Sequence, residues 1–212
     1  MKRYFYYFFT FILILSSFVV KNVAADIKAE KPATTVLKTT VDKIISILAS
    51  EEYKKIDMHD TLKKEIYDLV DNVFSWDDMG KRSLGRTWKE QKDSDKKEFI
   101  SLFSKLLKKS YTEKLESYTG EKISYEPETL KGKYAEVRTY IIKETGEKIP
   151  VFYRMILRDG KWMVYDVVIE GISLVKNYRS QFENILRKSS FKELLEKLEK
   201  KLEKKIAEKD NN

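Results

Sequence analysis

Cysteine is absent from the 212 residues, and histidine occurs once, as His59. Disulfides therefore add nothing to stability, and cysteine nucleophiles and zinc centres of the usual His/Cys kinds are excluded. A Ser-His-Asp site would have to use His59, yet there is no Gly-x-Ser-x-Gly elbow to present the serine. Phosphate-cradling and dinucleotide-binding glycine motifs are also missing. His59, beside Asp57 and Asp60, reads as a plain surface residue in a loop before a helix. With 7 glycines and 3 prolines, no Gly- or Pro-rich linker divides the chain, and no internal repeat is visible. The catalytic inventory is thin, and the sequence reads as a non-enzyme without cofactor or metal.

What is abundant is charge, with 42 Lys and Arg against 34 Asp and Glu, a net of +8. The lysines alternate with glutamates at helical spacing, as in Glu193, Lys197 and Lys200, which is the pattern of a solvated helix face. That pattern and an exported chain argue against a nucleic-acid partner. A small positive surplus suits weak attraction to anionic lipid headgroups.

Export is read from the first residues. Met1-Lys2-Arg3 is followed by an apolar and aromatic run from Tyr4 to Val20, broken only by Thr10 and Ser16-Ser17. Val23-Ala24-Ala25 then supplies small residues for a signal-peptidase site, so 1–25 is expected to be a cleavable signal peptide. No cysteine follows that could be lipid-modified, and the expected location is outside the cytoplasm. The remainder has the length of one ordinary domain, here drawn as 26–190, followed by a charged helix and tail over 191–212.

Apolar residues recur with a helical period over Thr34–Ala49 (Val36, Leu37, Val41, Ile44, Ile45, Leu48) and again over Thr61–Val73. Asp77-Asp78 is placed to cap a short helix. Asp93 or Ser94 starts a longer one lined by Phe99, Phe103, Leu106, Leu107, Tyr111 and Leu115, with Gly120 as its stop. Beyond Gly120 the period becomes two. Strands are expected at Lys122–Glu126, Tyr134–Lys143, Lys148–Arg158 and Lys161–Ile169, and short turns such as Asp159-Gly160 make neighbours antiparallel. Alternation puts Ile149, Val151, Tyr153, Met155 and Leu157 on one face of the third strand, and Trp162, Val164, Asp166 and Val168 on one face of the fourth. Ser173 is a candidate cap for a helix carrying Leu174, Val175, Tyr178, Phe182, Ile185 and Leu186. The last helix, Phe191–Lys209, is expected to pack on its own domain through Leu194, Leu195, Leu198, Leu202 and Ile206.

Asp166 lies within an apolar strand, with Glu170 beyond it. A buried carboxylate can serve as a general acid, but an isolated buried charge is too costly, so an internal ion pair with an arginine such as Arg179 or Arg86 is the expectation.

The stretch Trp162-Met163-Val164-Tyr165-Asp166-Val167-Val168-Ile169-Glu170-Gly171-Ile172-Ser173-Leu174, continuing to Phe182, resembles the signature of the MlaC family, the toluene-tolerance periplasmic proteins of the Mla lipid transport system. Leu84-Gly85-Arg86-Thr87-Trp88, followed by Phe99, Phe103 and Tyr111, is similar to a second block of that family. The resemblance implies an α+β fold, with helices around a curved antiparallel sheet of about four to five strands enclosing a hydrophobic lipid pocket. It also narrows the location to the periplasm and implies a phospholipid shuttle between an outer-membrane lipoprotein–porin complex and an inner-membrane ABC transporter with its membrane-anchored lipid-binding subunit. A related branch is associated with hopanoids, which leaves another lipid class as an alternative cargo.

Shared faces and side-chain size suggest the pocket walls: Phe99, Phe103, Leu106 and Tyr111 on one side, Tyr153, Met155, Trp162 and Val164 facing them, and Val175, Tyr178 and Phe182 closing one end. Asp or Arg at Val164 or Phe103 is then expected to remove lipid and spare the fold. Two rivals make different demands. A hydrolase needs Asp166 or Glu170 in a solvent-reaching cleft, and a structural adaptor needs a filled core.

Overall fold

In the computed structural model of the chain, Ala29 and residues 31–53, 55–116 and 118–210 are described; the expected signal peptide lies outside them. The first two helices, α1 (Ala33–Leu48) and α2 (Ile56–Val73), form a hairpin joined through a small cluster of Ile44, Tyr53 and Ile66. α2 begins earlier than the expected Thr61. His59 therefore sits on a helix rather than in a loop, its ring 4.7 Å from that of Tyr53.

α3 (Trp76–Leu84) is capped by Ser75, whose Oγ accepts from the Asp78 N–H; Asp77 and Asp78 occupy the first turn instead of the cap, where carboxylates favour the helix dipole. Gly85 ends this helix at φ 58, a left-handed conformation. A Cβ there would stand 3.0 Å from the Arg179 guanidinium, the mobile end of a half-exposed side chain, so it is the positive φ rather than packing that calls for glycine. A 3-10 turn (Gly85–Glu90) leads into α4 (Asp93–Glu116).

Six antiparallel strands follow: β1 (Lys122–Tyr125), β2 (Thr129–Lys131), β3 (Tyr134–Ile142), β4 (Lys148–Arg158), β5 (Lys161–Ile169) and β6 (Ile172–Ser173). The order is β1-β3-β4-β5-β6, with β2 continuing the edge that β1 begins along β3. β2 and β6 were not expected; three and two residues are too few to show a period. Asp159 (φ 47) and Gly160 (φ 79) form the two-residue turn between Arg158 and Lys161, both left-handed as a type I′ hairpin needs.

One irregularity changes the sheet's faces. Tyr153 pairs with Val167 and Arg154 with Asp166, but Met155 pairs with Val164, leaving Tyr165 as the surplus residue of a β-bulge. Strict alternation therefore fails on β5. Trp162 and Val164 share the inner face with Val167 and Ile169, while Asp166 and Val168 turn to the other side, contrary to the expectation that all four of Trp162, Val164, Asp166 and Val168 align.

β6 runs into α5 (Leu174–Leu186), where Ser173 Oγ accepts from the Lys176 N–H as expected for a cap. α3, α4, α5 and α6 (Phe191–Asp210) pack on one another around an aromatic centre: the Phe103 ring lies 5.1 Å from Tyr178, 5.5 Å from Phe99 and 5.6 Å from Phe182. α6 is fastened to this core by Leu194, Leu195 and Leu198, with Leu202 half-buried; the Ile206 side chain lies outside the described ones.

Two buried carboxylates tie the helices to the sheet. Asp166, 3% exposed, accepts from Arg154 Nη1 (3.1 Å), Ser173 Oγ (2.7 Å) and the Val175 N–H (3.1 Å). An arginine partner was expected, but it is Arg154, the cross-strand neighbour that the bulge brings opposite, not Arg179 or Arg86. Arg179 instead pairs with Glu183. Asp78 on α3 receives a bidentate contact from Arg158 at the end of β4, at 2.8 to 3.2 Å. Burial by itself would raise the Asp78 pKa, but hydrogen bonds from Arg158 and Ser75 and the charges of Arg158 and Arg82 outweigh it, and the carboxyl is held below its ordinary value. A depressed folded-state pKa gives stability that is present above the unfolded value and is lost as pH falls through the folded one. Arg158→Gln should therefore lower the urea midpoint at pH 7, and the gap to the unsubstituted protein should narrow below about pH 4. Urea titrations of both proteins across this range check it; a gap independent of pH would count against the pair.

Candidate functional site: an apolar cavity under the first two helices

The inner face of the sheet is not covered uniformly. At one end Met155, Trp162 and Val164 meet Ala33, Leu37 and Val73 in close packing. Toward the β3–β4 turn the inner-face residues are Thr139, Ile141, Ile149 and Val151, and opposite them stand Val41, Ile44, Ile45 and Leu48 of α1 with Ile66 and Val70 of α2. These side chains are of moderate size, and the two layers do not close on each other. A cavity of about 500 Å³ remains, within the range of ligand-binding pockets. Leu107, Tyr111 and Leu115 of α4 bound it on a third side, and β1 adds Ile123 and Tyr125.

The lining is apolar with few exceptions. Thr139 Oγ1 donates to the Val151 carbonyl at 2.6 Å, which satisfies its hydroxyl. The charged members among the described residues are Lys108, Glu121, Lys143 and Glu170. Lys108 Nζ is paired with the Asp71 carboxylate at 2.7 Å, its charge further stabilised by the Tyr67 and Trp76 rings at 5.4 and 5.9 Å. Lys143 Nζ bonds Glu147 at 2.8 Å, and this hydrogen bond and charge raise its pKa, helped by Glu170 and Glu121. Glu121, Lys143 and Glu170 are half-buried to exposed, so this end of the cavity meets water, and Leu115 and Tyr118 stand beside them on the lining.

Three tyrosines report how dry the interior is. Burial pushes the Tyr153 phenol up to about 12 and raises Tyr125 and Tyr111, with Tyr178 adding to the rise at Tyr111. Tyr125 Oη is buried without a hydrogen-bond partner among the described residues. An unpaired buried hydroxyl costs about 1–3 kcal/mol. Tyr125→Phe is thus expected to raise the melting temperature by a few degrees, a gain that differential scanning calorimetry resolves; a fall would mean the hydroxyl has a partner.

Of the residues expected to line a pocket, Tyr111 and Tyr153 do so. Phe99, Phe103, Leu106, Val175, Tyr178 and Phe182 lie together in the solid core of α3–α6. Met155, Trp162 and Val164 are on the correct sheet face but in its filled end; Trp162 also borders a cleft of about 230 Å³ with Lys31, Val36, Asn72 and Met163. The expectation that a charge at Phe103 or Val164 spares the fold does not suit these positions, which are 1% and 0% exposed among packed neighbours. The wall contributed by α1, α2, β1 and β3 was missed, although the stripe Val41, Ile44, Ile45, Leu48 was legible as an apolar face. Side-chain size misdirected the choice, since the largest residues fill space and a void is bordered by smaller ones. Asp166, surrounded by donors that hold α5 to the sheet, has no place on the cavity wall.

Among the described residues no group of three or more His, Cys, Asp or Glu could hold a metal ion, and no helix is long and apolar enough to cross a membrane.

Comparison with known proteins gives a consistent picture. The family model described as MlaC protein matches residues 38–200. The intermembrane phospholipid transport system binding protein MlaC of Haemophilus influenzae is 24% identical over 191 residues, 88% of each chain. The toluene tolerance protein ttg2D of Pseudomonas putida is 24% identical over 183 residues, 84% of this chain and 81% of that one. A phospholipid-binding protein from Ralstonia solanacearum, solved in complex with a phospholipid, superposes with a TM-score of 0.72 at 21% identity, over 83% of this chain and 99% of its own. That likeness shows the α+β fold, with its curved open antiparallel sheet of six strands rather than four to five. With a family model matching well over half its length, the chain belongs to the MlaC family.

Proposed function

We propose that the chain is a periplasmic phospholipid carrier, holding acyl chains in the cavity under α1 and α2 while the headgroup stays at the charged rim. It takes lipid from one membrane complex and delivers it to another: an outer-membrane lipoprotein–porin complex and an inner-membrane ABC transporter with its membrane-anchored lipid-binding subunit. In this reading residues 1–25 are the cleaved signal peptide, 26–190 the lipid-binding domain and 191–212 a charged helix and tail. The observation that carries the proposal is the cavity itself, long-walled, apolar and open to water at its polar end. The relatives' names and the phospholipid bound by the Ralstonia protein support the cargo class.

Each buried methylene is worth about 0.8 kcal/mol relative to water. A lipid drawn from a bilayer, however, exchanges one apolar surrounding for another, and the net gain is small. A carrier needs that balance, because a cavity that bound too tightly would not release. A purely structural adaptor would need a filled core, and the cavity argues against it. A hydrolase acting through Asp166 is disfavoured by its burial beneath Arg154, Ser173 and the start of α5.

Native mass spectrometry of the protein purified from cells, with extraction and identification of bound lipid, is the direct test. Phospholipid at near one-to-one occupancy is the expected result. Protein that emerges folded and empty, and stays empty after incubation with phospholipid vesicles, would remove the reading.

A further inference from the structure

The rim of the cavity carries charge in an arrangement that bears on which phospholipid it accepts; the inference rests on the carrier reading above. At the open end the lining, among the described residues, supplies one cation, Lys143, and two carboxylates, Glu121 and Glu170. Lys143 Nζ already bonds Glu147 at 2.8 Å, so a third carboxylate stands on the same group. Lys122 and Lys148, the nearest other lysines along the strands, pair across Ile142 and so stand on the opposite face of the sheet. The lysine at the other side of the cavity, Lys108, is committed to Asp71 at 2.7 to 2.8 Å. Among the described residues, a headgroup arriving here finds more negative than positive charge.

The two carboxylates are held differently. Glu121 is fixed by the Thr119 N–H at 2.9 Å and the Thr119 hydroxyl at 3.2 Å. Glu170 occupies the first position of the two-residue turn between β5 and β6, at φ 50 with Gly171 at φ 81. Such a turn favours Asn, Asp or Gly at this position, and Glu has no side-chain hydrogen bond there to compensate. Its carboxylate makes no side-chain hydrogen bond or ion pair among the described residues, and it lies near enough to Lys143 for the two charges to attract.

We propose that this rim selects phospholipids whose headgroup carries a primary ammonium beside the phosphate, placing the ammonium against Glu170 and Glu121 and the phosphate against Lys143. Glu147 releases Lys143 to the phosphate when lipid enters. A headgroup with a phosphate and only hydroxyls meets the same lysine but leaves both carboxylates facing its negative charge.

The test offers the protein a choice. It is incubated with vesicles containing phosphatidylethanolamine and phosphatidylglycerol in equal amounts with matched acyl chains, re-isolated, and its bound lipid quantified by mass spectrometry. Rim-exposed charge pairs are individually weak, so the bound ratio should exceed the vesicle ratio by about two- to fivefold. The preference should shrink as salt is raised. The double variant Glu121→Gln/Glu170→Gln should return the ratio to that of the vesicles, and Glu170→Lys should favour phosphatidylglycerol. A vesicle-like ratio for the unsubstituted protein, or a preference that survives the double substitution, overturns the proposal. Absence of both lipids from the re-isolated protein overturns the carrier reading instead.

Discussion

The chain carrying Ile141→Arg should fold and should be purified with at least roughly tenfold less bound lipid than the unsubstituted protein. Ile141 is half-buried on the inner face of β3, between Ile123 of β1 and Ile149 of β4, and lines the cavity near its open end. An arginine there can lay its methylene stem along the apolar wall and bring the guanidinium to Glu121 and Glu170 at the rim, so burial of an unpaired charge is avoided. Acyl chains have no such escape. They would have to pass a hydrated cation at the entrance and pack against its stem. Bound lipid by native mass spectrometry, with far-UV circular dichroism as the measure of folding, separates the two effects. Phe103→Arg provides the contrast. Phe103 is enclosed by Phe99, Tyr178 and Phe182, with no route to water, and this variant should fail to fold. Full lipid occupancy in Ile141→Arg would show that the cavity is not where lipid resides.

Asp166→Ala should cost about 2–4 kcal/mol of stability and lower the melting temperature by roughly 5–15 °C. The loss is more than one ion pair. Asp166 accepts from Arg154, from Ser173 and from the first turn of α5, so its removal leaves the guanidinium, a buried hydroxyl and a helix N-terminus short of an acceptor. Arg154 is about one third exposed and can turn to Glu136, 3.6 Å away, which places the figure below that for a fully enclosed pair. Asp166→Asn keeps the shape and part of the hydrogen bonding and should lose less. Urea unfolding of the two variants at pH 7 checks the order; equal losses would mean that charge alone matters at this position.

Much of the fold is legible in the sequence because its signals are local. The helical stripes of α1 and α4, the turn at Asp159-Gly160 and the cap at Ser173 each depend on a few neighbouring residues, and each is found in the structure. What was not legible depends on register between distant segments. Arg154 faces Asp166 only because Tyr165 is surplus in β5, and no feature of either residue's own neighbourhood announces it. The cavity is a stronger case. A void arises where facing layers carry residues too small to meet, and this is a property of pairs such as Ile44 and Val151 that sequence separation hides. Family resemblance pointed to a lipid pocket, but the bulky residues of the resembling blocks, Phe99, Phe103, Tyr178 and Phe182, hold the scaffold together beside it.

The surplus residue in β5 also constrains how this strand can vary. Upstream of Tyr165 one parity of positions faces the interior, and downstream the other does. Pairing this stretch without the bulge, at its present length, would restore even alternation and rotate Val167 and Ile169 out of the cavity, exposing them and driving Asp166 and Val168 inward; deleting Tyr165 itself would leave all four where they are. Side chains along the strand can be exchanged one at a time, and loss of the surplus residue is absorbed by regular pairing, but an added residue must be taken up in a wider bulge or it inverts a wall of the cavity. Related chains that keep this length should therefore keep the bulge, and chains one residue shorter here should have a regular strand with the same residues facing inward.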